Sequence, residues 1–371
     1  MKQVSTVGTE GRTAARKMPA RKTSEKLTIG IDVGDRSSHY CVLKEEGAVV
    51  ASGVMGTTKK ALAQAFGALP ASRIALEVGA QSAWISRLLR AWGHEVIVAN
   101  ARQVKLISQS SRKDDRVDAE TLARLARADP ELLRPVRHRG EQAQLDLARV
   151  RVRANLVEAR TALVNAARGL VKPFGERLAS CDAGAVGVAT LAGLPAELAA
   201  VVQPLVEQVA ALTVRIRKLD VELEQIAREQ YPETRLLKQI SGVGSLIALT
   251  FVLTIDDATR FAKSREVGCY VGLRPRRSQS GASEPELPIS KEGDRYLRTL
   301  LVQAAHYILG WRGPDTDLRR WGLRLASRGG KNAKKRAVVA VARKLAVLLH
   351  HLWVSGEVYE PLRQARAAAA A

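Results

Sequence analysis

Cysteine is scarce in this chain. Cys41, Cys181 and Cys269 lie far apart, with no CxxC and no Cys/His ligand spacing, so neither a zinc site nor a disulfide framework is implied. A reducing cytoplasm fits that usage. Aromatic residues make up only 4% of the chain, which leaves little for extensive base stacking. Trp84, Trp92, Trp311, Trp321 and Trp353 read as core or interface residues. Long apolar runs are missing too. The best candidate, residues 337–354, is interrupted by Arg343, Lys344, His350 and His351. The start of the chain lacks the apolar core of a signal peptide. Acid is in short supply: 37 Asp and Glu face 59 Lys and Arg, a formal net charge of +22. Such an excess costs self-repulsion, so it serves a polyanionic partner, with nucleic acid first. A membrane surface fits less well, because no amphipathic helix pairs a basic face with an exposed aromatic one.

What is present is enough apolar residue, 46%, for real cores in two or three domains over 371 residues. Residues 1–25 are basic and without apolar period, a disordered arm that is either neutral or a non-specific phosphate contact. Residues 26–130 alternate strand and helix signals. Strands are expected at 27–33, 39–44 and 48–54 as a meander, then a helix at 59–69, a strand at 72–77, a helix at 80–92, a strand at 94–99 and helices at 101–109 and 114–128. Three antiparallel strands followed by βα units is the order of the ribonuclease-H/RuvC-like α/β fold, a mixed sheet with helices on both faces. Residues 141–231 read as a helical coiled-coil region. A first Arg-studded helix carries Leu145, Leu156, Leu163 and Leu170 near one stripe. A second carries Leu198, Val202, Leu205, Val209, Leu212, Ile216, Leu219, Leu223 and Ile226 at alternating spacings of four and three. So regular a seam favours dimerisation over packing within one chain. Residues 234–356 form an α-helical C-terminal domain, and 357–371 a tail.

Asp32 ends a strand that otherwise reads as buried, where a carboxylate has no packing role. Glu77 ends a strand expected beside it. Asp115 and Asp118 lie three apart on a helix and project from one face, where like charges cost helix stability unless a cation such as a divalent metal lies between them. Four oxygen donors with no His or Cys nearby suit Mg²⁺ or Mn²⁺, and two such ions could clamp a phosphodiester. The bland alternative makes Asp115 and Asp118 solvated members of the charge run Arg112-Lys113-Asp114-Asp115-Arg116. The strand-end positions of Asp32 and Glu77 reverse those odds. His39, His94, His138, His306, His350 and His351 show no ligand or triad spacing. The segment GIDVG is also similar to the first phosphate loop of sugar kinases and actin-like ATPases, but neither a second Gly-rich loop nor an adenosine site accompanies it.

In the second half, Gly242-Val243-Gly244 between two helices could meet a phosphate with its backbone N–H groups, or could be an ordinary tight turn. The loop Pro275-Arg276-Arg277-Ser278-Gln279-Ser280-Gly281 sets serines beside glycine and arginine. That is what a nucleophile attacking a phosphodiester needs, with Lys291, Arg295 and Arg298 close behind. A flexible Ser-rich loop with ordinary phosphate contacts is the competing view.

In chain order GIDV, LE, KDDRVDAETLARL, ISGVG, YVGLRPRRSQSG and ISKEGDRYLRTLL, the sequence resembles the DEDD-type insertion-sequence transposases related to the Piv DNA invertase. The resemblance runs from about residue 27 to 309. It implies a metal-binding tetrad of Asp32, Glu77, Asp115 and Asp118, and a nucleophilic serine at Ser280, with Ser278 as the fallback. It further implies a phosphoserine–DNA intermediate, half-sites contributed by different protomers of a dimer or tetramer, and guidance by a non-coding bridge RNA. The chain would then work in the cytoplasm at the nucleoid. Two other activities share these residues: a metal-dependent junction nuclease that uses the tetrad alone, and a nucleic-acid-binding protein without catalysis.

Overall fold

The computed structural model describes residues 26–100, 115–278 and 287–363. The expected arm at 1–25, the helix at 101–109, Ser280 and the end of the tail lie outside the described residues. The chain divides into two compact units, Met1–His138 and Arg139–Ala371.

The N-terminal unit is built on a five-stranded mixed sheet in the order β3-β2-β1-β4-β5. The strands are β1 (Thr28–Val33), β2 (Ser37–Leu43), β3 (Val49–Gly56), β4 (Arg73–Glu77) and β5 (Glu95–Ala99). β1 pairs antiparallel with β2 and parallel with β4; β2–β3 is antiparallel and β4–β5 parallel. This is the expected meander followed by βα units. Helices α1 (Lys59–Phe66) and α2 (Ser82–Ala91) follow β3 and β4, and α3 (Asp115–Ala128) follows β5. Thr58 caps α1 with its hydroxyl accepting from the Ala61 N–H. One core lies between the sheet and α1 and α2, around Ile29, Ile31, Phe66, Ile74, Leu76 and Leu89. Cores around Leu122, Ala126, Ile97 and Ala75, and around Cys41, Leu43, Ala119 and Ala123, seat α3 on the sheet.

Gly30 decides how closely α3 lies. A Cβ there would stand 2.0 Å from the Ala119 carbonyl oxygen and 2.5 Å from the Ala123 nitrogen. Only glycine lets the helix backbone rest on the strand. The glycine of LTIGIDV is therefore a packing requirement, and it lies two residues before Asp32 on the same face of β1.

The second unit is helical: α4 (Glu141–Val171), α5 (Ala196–Glu229), α6 (Ser245–Ile255), α7 (Arg295–Leu309), α8 (Asp317–Ala326) and α9 (Ala333–Ser355), with short helices Thr234–Leu237 and Arg265–Tyr270 between them. Helices α4 and α5 form an antiparallel hairpin, as the pairs Arg149–Glu222, Arg153–Asp220 and Arg160–Thr213 show. Most of the α5 seam is buried within this one chain: Leu198, Val202, Val209, Leu212, Ile216, Leu223 and Ile226, with Leu205 and Leu219 partly covered. On α4 the buried row is Leu147, Val150, Val164, Ala167 and Val171 rather than the expected leucine stripe. Leu145 and Leu170 are about half exposed, at 49% and 50%. Short Val and Ala side chains let the two helices approach closely, whereas the leucines fall on the flanks.

Asp146 of α4 is fully buried. Its carboxylate accepts from the Tyr231 hydroxyl at 2.9 Å, the Gln142 amide at 3.1 Å and Arg149 Nη1 at 2.5 Å. Burial, and then this carboxylate, push the Tyr231 hydroxyl up and keep it a donor. Helices α6, α7 and α9 share the largest core, around Phe251, Val252, Leu301, Ala305, Val341, Leu345 and Leu349. By length and composition α5 and α9 could cross a membrane; their buried residues lie in cores of this unit, while Val201, Val214 and Val221 of α5 and Val354 of α9 are exposed. Residues 357–361 pack back on this unit: the Tyr359 N–H donates to Gln239 Oε1 at 2.9 Å and the Asp317 N–H to the Pro361 carbonyl at 2.7 Å.

Candidate active site

The acidic site assembles at one end of the N-terminal sheet. β1 and β4 run parallel, with Ile31 beside Leu76, and the next residue on each strand is Asp32 and Glu77. Asp32 has His39 as its direct partner across β1–β2, so both side chains rise on one face. Helix α3 rests on that face over Gly30 and brings Asp115 and Asp118 in its first turn. The four acids separated in sequence are thus neighbours. Donor atoms of Asp32, His39 and Asp115 all lie within 4.8 Å of one another, and His39 Nδ1 stands 3.6 Å from Asp115 Oδ2. Glu77 is half-buried. Burial first, then the negative charges of Asp32 and Asp118, raise its carboxyl above the ordinary carboxylate range. Two overlapping groups, Asp32–His39–Asp115 and Asp32–Glu77–Asp118, therefore share Asp32.

Two expectations need correction here. The acids were expected to have no histidine near them, yet His39 stands among them. It comes seven positions after Asp32, a spacing that matches no ligand motif, and only the antiparallel turn between β1 and β2 sets the two opposite each other. The helix-stability argument for a metal also fails. Asp115 and Asp118 occupy the first turn of α3, where the helix macrodipole stabilises negative charge. What speaks for a cation is the mutual repulsion of acids drawn from separate elements and the donor spacing. Ligands about 2.1 Å from one ion stand at most about 4.2 Å apart, so a 4.8 Å spread closes with small side-chain rotations. The donor set fits a divalent cation.

In the helical unit the serine loop leaves a pinned base. Pro275 bridges antiparallel to Ile289, the Arg276 N–H donates to the Pro288 carbonyl at 3.0 Å, and the Ser290 N–H to the Arg274 carbonyl at 2.8 Å. Gly272 and Gly293 both have positive φ, and a Cβ on either would meet backbone at about 2 Å, from Glu292 O and Tyr270 O respectively. Lys291 also takes a positive φ of 58° and its N–H donates to the Gly272 carbonyl at 3.1 Å. Arg298 braces this base through Nη1, which donates to the carbonyls of Val271 at 3.0 Å and Glu292 at 2.8 Å. Asp294 caps α7 through the Leu297 N–H at 2.7 Å and pairs with Arg151 of α4. Arg276, Arg277, Ser278, Lys291 and Arg295 are exposed. Ser280, the expected nucleophile, lies outside the described residues.

The Gly242-Val243-Gly244 turn opens α6. Gly242 has φ 92° and packs against Tyr307, where a Cβ would fall 2.8 Å from the ring. The Glu224 carboxylate takes the Ser245 hydroxyl at this helix start, which with Lys238 holds its carboxyl below the usual range. An acid thus already stands where a phosphate was expected.

Family models match the chain in two blocks. A DEDD transposase model of the IS110 type covers residues 29–174, and a model described as "Transposase IS116/IS110/IS902 family" covers residues 234–318. A probable family 20 transposase of Pseudomonas aeruginosa is 32% identical over 305 residues, 80% of this chain and 88% of the relative. The transposase for insertion sequence element IS1111A of Coxiella burnetii is 32% identical over 257 residues, 67% of this chain and 69% of that protein. A pilin gene-inverting protein of Moraxella bovis is 28% identical over 137 residues, 36% of this chain and 41% of its own length. With both blocks matched in order, and two relatives at 32% identity covered over more than two thirds of their length, the chain belongs to the IS116/IS110/IS902 family of insertion-sequence transposases.

Proposed function

We propose that this transposase cuts and rejoins DNA with two sets of residues: the tetrad Asp32, Glu77, Asp115 and Asp118 in a RuvC-like unit, and a serine of the loop after Pro275. The observation that carries this reading is the convergence of the four acids at one end of the sheet. Asp32 and Glu77 are held by paired strands and Asp115 and Asp118 by a seated helix, so the constellation is rigid before substrate arrives. Bound Mg²⁺ or Mn²⁺ would neutralise phosphate charge and polarise the scissile group.

The serine, Ser280 or failing that Ser278, attacks phosphorus. Its Oγ–P bond forms as the bond to the leaving deoxyribose oxygen breaks, and the serine proton passes to solvent as the leaving oxygen gains one. The product is a phosphoserine link, which a free DNA hydroxyl resolves by the reverse displacement. Arg276, Arg277, Lys291 and Arg295 are exposed around the loop base and supply positive charge to the phosphates. Arg298 acts through the loop's shape instead, because its Nη1 holds two backbone carbonyls of the loop base. A guide RNA that selects the DNA by base pairing, and assembly as a dimer or tetramer, complete the reading. The net charge of +22 suits both nucleic acids.

The test is to incubate the purified chain with Mg²⁺ or Mn²⁺, element-end DNA and the element's non-coding RNA, then resolve denatured protein on a gel. A DNA-shifted band is expected, lost in Ser280→Ala and in Asp32→Asn. If Ser280→Ala loses the band while Ser278→Ala keeps it, the nucleophile is assigned. A second reading, a metal-dependent junction nuclease, is favoured by the placement of all four acids within one compact unit. It predicts cutting without an adduct and no loss in either serine variant.

A further inference from the structure

We propose that His39 is a direct ligand of the divalent cation at this site, through its imidazole nitrogen, alongside Asp32 and Asp115. The site is then a mixed nitrogen–oxygen one that takes Mn²⁺ in preference to Mg²⁺. The inference rests on the metal-binding reading above and adds a residue and a metal preference to it.

Three observations carry it. First, the register of β1 and β2 sets His39 directly opposite Asp32, so the two side chains leave the same face of the sheet. Secondly, α3 lies on that face because Gly30 admits its backbone, which places Asp115 over the same pair. Thirdly, the His39–Asp115 distance is 3.6 Å. That is too long for a hydrogen bond, and Asp115 is 58% exposed, so a bare ion pair there contributes little. Two ligands of one ion, each about 2.1 Å from it and close to a right angle or tetrahedral angle, stand about 3.0–3.5 Å apart. The separation fits two ligands with an ion between them better than a bonded pair.

The metal preference follows from ligand chemistry. Mg²⁺ holds its water and favours carboxylate and water oxygens, whereas imidazole suits transition metals, and Mn²⁺ accepts both donor types. A third carboxylate in place of His39 would separate Mg²⁺ from Mn²⁺ less, because both accept carboxylate oxygen. An imidazole separates them.

The experiment uses the full chain titrated with Mn²⁺ and with Mg²⁺ alone, without nucleic acid. Affinity is read by electron paramagnetic resonance for Mn²⁺ and by competition for Mg²⁺. Electron spin-echo modulation reads whether a ¹⁴N nucleus is bonded to Mn²⁺. The wild-type chain is expected to show imidazole ¹⁴N coupling. His39→Ala and His39→Asn are expected to lose it and to weaken Mn²⁺ binding at least about tenfold, the low end of what even an outer-shell partner costs, with a smaller loss for Mg²⁺. Reading the coupling on the wild-type chain keeps the test sound even if a variant folds poorly. If Mn²⁺ binding is lost in Asp32→Asn but the wild type shows no ¹⁴N coupling and His39→Ala binds unchanged, the inference is overturned and the acidic metal site stands. If Asp32→Asn binds Mn²⁺ like the wild type, the metal-binding reading falls and the inference with it.

Discussion

His94 shows how far a single side chain can couple the N-terminal unit to pH. It is buried immediately before β5. The Ser72 N–H donates to its Nδ1 at 3.2 Å, so the proton sits on Nε2, which faces the Phe66 carbonyl at 3.2 Å. Burial lowers its pKa below the ordinary 6.5, against the smaller opposing pull of the Phe66 carbonyl. Above about 6.5 both folded and unfolded chains hold it neutral and it contributes nothing to pH dependence. As pH falls below that value the unfolded chain takes up a proton that the folded chain refuses. Stability then declines by at most about 1.4 kcal/mol per pH unit until the folded group also titrates. Urea midpoints at pH 7.5 and 5.5 should show a steeper acid loss in the wild type than in His94→Gln. Equal losses would show that the folded chain protonates His94 as readily as the unfolded chain, and that burial does not lower its pKa. At this scale the acids were legible because a carboxylate at the end of a buried strand has no packing purpose. His39 was not, because its partner is set by strand pairing and not by spacing.

At the scale of elements, the close seat of α3 on β1 is the feature on which the acidic site depends. Gly30→Ala would drive a methyl into the helix backbone, which cannot move aside as a side-chain tip could. Such overpacking costs about 1–3 kcal/mol, and lifting α3 would also separate Asp115 and Asp118 from Asp32. Gly79→Ala, after β4 and with nothing within 4 Å of its added methyl, serves as the neutral comparison. Thermal unfolding and Mn²⁺ titration of both variants should move together for Gly30→Ala and stay put for Gly79→Ala. On the helical hairpin, Asp146→Ala strips the buried acceptor from Tyr231, Gln142 and Arg149. It is expected to cost about 2–4 kcal/mol in denaturant unfolding, between the loss of neutral buried hydrogen bonds and that of a buried ion pair. Glu222→Ala, whose carboxylate is 42% exposed beside Arg149, should cost less than about 1 kcal/mol. Helix positions could be read from periodicity, and the seam of α5 is where the pattern set it. The buried row of α4 could not, because on an Arg-rich helix the partner, and not leucine content, selects the face.

For the whole molecule, charge is the dominant quantity. A chain of net +22 is expected to bind duplex DNA with a steep salt dependence. Arg276→Ala should lower the slope of log affinity against log salt by about one, the value of one phosphate contact. Arg298→Ala should instead weaken the loop base, lowering stability with little change in slope. Fluorescence anisotropy across a salt series separates the two, and a slope change for Arg298 would mean that its guanidinium reaches phosphate after all.

Composition and pattern alone determined the excess of positive charge, the alternating and then helical architecture, and the choice of four candidate acids, because each is a property of residue type and local period. Only the tertiary structure decided that a histidine stands among those acids, that a glycine admits the helix carrying two of them, and that Arg298 is occupied by backbone carbonyls. Those outcomes depend on which strands pair and how closely a helix settles, and both arise from contacts between residues far apart in the chain.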